Sequence, residues 1–124
     1  MSSWEDRATE AEHLAPQAGT ADADARLLAL LLDPEDTAVS TAAADALLAR
    51  EDVAGLRLYT SAFGQAADDT RNKLGDCLYD DIGSRWEVVE RLLVPLTEDP
   101  DPLVKQGVAA LRQHMAVESE RHRR

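Results

Sequence analysis

A chain of 124 residues suffices for one domain with its own core, and its 44% hydrophobic content rests on Leu, Val and Ala, with only 4% aromatic. Thirteen basic residues against 24 acidic ones give a net charge of −11, which excludes nucleic acid as the natural partner and favours a basic protein where electrostatics steer the encounter. One cysteine excludes an internal disulfide, no apolar run approaches the roughly 20 residues of a membrane span, and the acidic start lacks the features of a signal peptide, so a cytoplasmic protein is expected.

No run alternates apolar and polar residues over a strand's length, so the expected fold class is all-α. A first helix over 3–14 is capped by Ser2 or Ser3, with Glu5 or Asp6 at the capping-box position. It turns Trp4, Ala8, Ala11 and Leu14 inward, with Trp4 covering an open end of the core. Pro16 to Thr20 form a connector. Asp22 or Asp24 caps a second helix carrying Leu27, Leu28 and Leu31, which Pro34 ends. Asp36 or Thr37 caps a third, with Val39, Ala43, Ala46 and Leu47 on one face.

Glu51 and Asp52 open a fourth helix with Val53, Leu56, Tyr59, Ala62 and Phe63 inside and a stop near Gly64. Asp68 or Asp69 caps a fifth, which buries Thr70, Leu74, Cys77 and Leu78 before Asp80, Asp81 and Gly83 break it. Ser84 caps a sixth, with Trp86, Val89, Leu92, Leu93 and Leu96 inward. Beyond the turn Asp99-Pro100-Asp101-Pro102, a seventh packs Val104, Val108, Leu111 and Met115 and gives way to a polar tail over 116–124.

The second helices repeat one another. Val39, Ala43, Ala46 and Leu47 align with Thr70, Leu74, Cys77 and Leu78 at a spacing of 31, and these with Val104, Val108, Leu111 and Arg112 at a spacing of 34. The two Asp-Pro turns, at Asp33 and Asp99, recur 66 residues apart. The stretches LLALLLDPEDTAVSTAAADALL and VVERLLVPLTEDPDPLVKQGVAALRQH resemble the HEAT-repeat family in its short-period, phycobilisome-lyase-type branch. The segment from Val53 to Asp80 departs from that pattern: it lacks the Asp-Pro turn and has Gly64, Gln65, Ala66 and Ala67 instead.

The resemblance implies an α-solenoid of about three antiparallel helix pairs, over 22–50, 52–80 and 84–115, with an extra N-terminal helix. It further implies a concave face lined by the second helices. Outward positions there are Ser40, Thr41 and Asp45, then Arg71, Asn72, Asp76 and Tyr79, then Lys105, Gln106, Arg112 and Gln113. Arg71, Asn72, Asp76, Tyr79, Lys105 and Arg112 are the expected contact residues, led by the Tyr79 and Arg71 pair.

Catalytic chemistry finds little support. The acidic clusters at Asp33, Glu35 and Asp36, at Asp68 and Asp69, and at Asp80 and Asp81 lack the order of a calcium loop and fall at helix ends. His114, Glu118 and His122 would share a face, but at 1.5 Å per residue the two histidines stand about 12 Å apart, too far for one metal, which leaves a surface row. Cys77 faces the core without an activating partner, and no phosphate-cradling or nucleophile motif occurs. No cofactor or metal is expected.

The expectation is a non-catalytic interaction module that binds another protein, not nucleic acid or a membrane. An acidic inhibitor or immunity protein that neutralises a basic toxin or nuclease is the alternative. A HEAT-like enzyme of the DNA-glycosylase or bilin-lyase type is a further one, disfavoured because a glycosylase needs a basic groove.

Overall fold

The computed structural model describes residues 3–33, 35–78 and 84–122, the side chains of 84 and 120–122 excepted. Within them the chain is all-α, with no strand: α1 (Trp4–Leu14), α2 (Ala21–Leu31), α3 (Thr37–Leu48), α4 (Val53–Gln65), α5 (Asp68–Asp76), α6 (Ser84–Leu96) and α7 (Pro102–His122). A single 3-10 turn, Ala15–Gln17, links α1 to the connector. The polar tail expected from 116 onward continues α7 as helix.

Side-chain oxygens start several helices by taking up free N–H groups. Ser3 and Asp6 form a capping box on α1, Asp36 accepts from the Ala38 N–H, and Asp52 accepts from the Gly55 N–H. Two expected caps are shifted. Thr20 precedes α2 but caps no N–H group, its hydroxyl donating instead to the Gln17 carbonyl at 3.1 Å, and Asp24 sits in the first turn and accepts from the Gly19 N–H at 2.8 Å. Ala67 precedes α5, leaving Asp68 and Asp69 in the first turn, where their charges face the positive end of the helix dipole.

The expected apolar stripes form one core, with Leu27 and Leu31, Val39 and Leu47, Tyr59 and Phe63, Leu74, Leu93 and Leu111 among the most buried residues. Trp4 and Val53 lie outside it. Each is the first residue of its helix, and Trp4, two turns nearer the free end of α1 than buried Ala11, stays 46% exposed. Ser40, expected to face outward, is buried, and its hydroxyl finds no partner among the described residues.

α1 packs chiefly on α3. α2 adjoins α3 and α4, α3 adjoins α4 and α5, and α4 adjoins α5 and α6. The most extensive contact is between α4 and α7. α4 stops at Gln65, one residue past Gly64, as expected, and at Gly64 the backbones of α4 and α7 meet. A Cβ on Gly64 would stand 2.8 Å from the Gly107 Cα, and one on Gly107 would run into the Thr60 carbonyl. Only two glycines permit so close a crossing.

The Asp turns share one construction. Asp33 Oδ1 accepts from the Glu35 and Asp36 N–H groups at 2.9 Å, while Asp33 Oδ2 takes Arg7 Nε from α1 at 3.0 Å. Asp99 Oδ1 accepts from the Asp101 N–H at 2.9 Å, while Asp99 Oδ2 takes Arg57 Nε from α4 at 2.8 Å. The acid that ends each turn then caps the next helix: Asp36 caps α3 and Asp101 bonds the Leu103 N–H at the start of α7. The turn between α4 and α5 has no such Asp, and Arg71 closes it from the other side, donating to the Phe63 and Gly64 carbonyls at 3.0 Å each.

Candidate partner-binding face

The α2–α3 turn and the α4–α5 turn lie on either side of an open groove of about 470 Å3. Leu32, Ala66 and Ala67 give it apolar surface, and Glu35, Asp36 and Asp69 give it charge. Its acids differ in what holds them. Burial alone would push the Asp33 carboxyl up, but the Asp36 and Glu35 N–H groups and the Arg7 guanidinium outweigh it and hold the group below its ordinary value. Asp33 is thus ionised and already engaged. Glu35 lies 3.9 Å from Arg7 and is exposed, Asp36 spends one oxygen on the α3 cap, and Asp69 is exposed without an ion pair among the described residues. The negative field at the groove mouth comes from these three.

From Asp69 an exposed stripe runs along α5 through Asn72, Lys73 and Asp76, at i, i+3, i+4 and i+7. Asn72 and Asp76 are two of the expected contact residues, and both are accessible. Lys105 and Arg112 are also exposed, on α7. Tyr79 lies outside the described residues.

Arg71 does not face outward as expected. Its guanidinium caps the end of α4 and lies over the Phe63 ring, with 5.6 Å from Cζ to the centroid. The free carbonyls at the end of α4 need donors, and the middle turn lacks the Asp that organises the outer two. This claim on Arg71 leaves no signal in a repeat-based reading, which compares positions within helices and not the ends between them.

His114, expected on the surface, is turned inward. Its ring meets Phe63 edge-on at 5.5 Å and fits against Gly75, where a Cβ would come within 2.7 Å of Nε2. Nε2 is buried without a hydrogen-bond partner among the described residues. Tyr59 is anchored in the same region by a 2.5 Å bond from its hydroxyl to the Leu74 carbonyl, and burial holds its phenol protonated far above the usual range. These contacts seat α5 against α4 and α7.

Other grooves are shallower in chemistry. One of about 540 Å3 runs along the small-residue side of α3 at Thr41, Ala42, Asp45 and Ala46, closed at one end by Arg85, which bonds Asp45 at 3.1 Å and the Cys77 carbonyl at 2.8 Å. Burial, with Asp45 nearby, pushes the Cys77 thiol up to about 12. That keeps it protonated and poorly nucleophilic. Among the described residues no group of three or more His, Cys, Asp or Glu is placed to hold a metal ion, and no helix is long and apolar enough to cross a membrane. Compared with known proteins, the chain matches no family model, no curated protein and no solved structure.

Proposed function

We propose that the protein is a non-catalytic protein–protein interaction module, a short HEAT-like stack of helix pairs that holds a basic partner against the groove and the outer stripe of α5. The observation that carries this reading is the placement of charge. Residues 1–83 hold 6 basic and 17 acidic side chains, while residues 84–124 hold 7 of each, so the whole excess of acid lies in the part that builds the groove. A field of one sign over an open surface raises the encounter rate with an oppositely charged protein.

Two features support the stack: α2, α4 and α6 adjoin in sequence order, as α1, α3 and α5 do, and the two Asp turns are clasped alike. Asp36, Asp69, Asn72 and Asp76 are the contact residues on this reading, while Lys105 and Arg112 stand exposed on α7. An inhibitor or immunity protein that masks a basic toxin or nuclease is a specific form of the same reading, drawn from the same charge.

The test is capture of binding proteins at low and high salt, with wild type beside an Asp36→Lys, Asp69→Lys, Asp76→Lys variant. A basic protein retained by wild type at low salt, released at high salt and ignored by the variant is the expected result. Retention that is indifferent to salt and to the three substitutions sinks the reading.

A further inference from the structure

We propose that the groove between the α2–α3 and α4–α5 turns takes a single arginine side chain of the partner, held between Asp36 on one wall and Asp69 on the other. The inference rests on the reading of this groove as a site for a basic protein, and it names the group that enters. None of the described side chains that line the groove is basic. Their uncommitted polar atoms are acceptors or can serve as such. Asp36 Oδ1 is bound to the Ala38 N–H, while Oδ2 has no hydrogen bond among the described residues. Asp69 is exposed and makes no ion pair among them. Gln65 turns its amide N–H groups to the Ser61 hydroxyl and carbonyl, at 3.0 and 3.2 Å, and keeps only Oε1 for an occupant. The Thr37 and Thr70 hydroxyls can accept as well. Asp33 and Glu35, by contrast, already face Arg7.

Chemistry selects the occupant. A group that suits several acceptors above an apolar floor carries donors alone and has faces that water holds weakly. The guanidinium has both properties, with five N–H donors around a plane, no acceptor and weak hydration. Its stem can lie on Leu32, Ala66 and Ala67, while opposite edges of the plane donate to the two walls. An ammonium also brings donors, but it is a compact, strongly hydrated charge that gains less from leaving water for such a floor. An anion is repelled by both carboxylates.

The test titrates the 15N-labelled full chain with three capped pentapeptides that differ only in a central arginine, lysine or citrulline. Citrulline keeps the shape of arginine and removes its charge. The arginine peptide should shift the amide signals of Asp36 to Ala38 and of Ala66 to Asp69, with a Kd on the order of 1 mM. The lysine peptide should bind about threefold more weakly, and the citrulline peptide should cause no shift. Asp36→Asn, which preserves the helix cap, and Asp69→Asn should each weaken the arginine peptide about threefold or more. Glu87→Gln makes the same change in net charge on the exposed side of α6 and should leave binding unaltered. The proposal is overturned by groove signals that do not move up to about 10 mM arginine peptide, by lysine or citrulline binding as well as arginine, or by Glu87→Gln weakening binding as much as the groove variants. The broader reading is judged apart, by the salt-sensitive capture: a basic partner that is captured while the peptides fail enters by other contacts.

Discussion

Cys77 shows how one side chain takes its properties from its surroundings. It sits 7% exposed with its Sγ near the Lys73 and Thr41 carbonyls, and its thiol is pushed up to about 12. At pH 8 the folded protein should therefore react with a thiol reagent far more slowly than the unfolded chain, whose cysteine titrates near 8.5. Following colour release from a disulfide reagent with and without urea checks this, and equal rates would place the sulfur in solvent. That Cys77 faces the core is legible in its spacing from Leu74 and Leu78. The inward turns of Arg71 and His114 are not, because each answers a neighbour distant in sequence or at a helix end: Arg71 the free carbonyls of α4, His114 the bare backbone at Gly75.

At the level of elements, the helices were legible and one of their contacts was not. Apolar periodicity and Asp, Ser or Pro punctuation locate the seven α-helices among the described residues, since these signals are local. Gly64 has a second role that the same rules miss: a glycine near the end of an apolar pattern reads as a stop, which α4 makes one residue later at Gln65, and only Gly107, 43 positions on, makes it a crossing point as well. Gly107→Ala tests the crossing. On an isolated helix this change is favourable by about 1 kcal/mol. Here the added methyl would enter the space of the Thr60 carbonyl, and forcing the helices apart costs about 1–3 kcal/mol and more where backbone cannot yield. A lowered urea midpoint is expected, while Ala109→Gly, on the exposed side of α7, should cost only about 1 kcal/mol. If Gly107→Ala stabilises the protein, α4 and α7 do not meet at this point.

For the molecule as a whole, pH links the turns to stability. Arg57 holds the Asp99 carboxyl below its ordinary value, Arg50 does so for Asp52 and Arg26 for Glu10, and backbone N–H groups with Arg7 overcome burial at Asp33. A carboxyl whose pKa is lower in the folded state than in the unfolded chain binds protons less readily when folded. It contributes stability above the unfolded value of about 4, and loses it as pH falls through the folded value. Relief of self-repulsion works the other way from pH 7 downward, so a shallow maximum should precede the acid-side fall. In urea melts from pH 7 to about 2, Asp33→Asn and Asp99→Asn should flatten that fall; curves parallel to wild type would show that the clasps contribute nothing. The two clasps also have a direction. Arg7 precedes Asp33 by 26 residues and Arg57 precedes Asp99 by 42, so each guanidinium lies upstream of the turn it closes. On a ribosome adding about 5–20 residues per second, each arginine is made roughly 1–8 seconds ahead of its aspartate. The nascent chain thus never carries an open Asp turn whose latch is still to be synthesised.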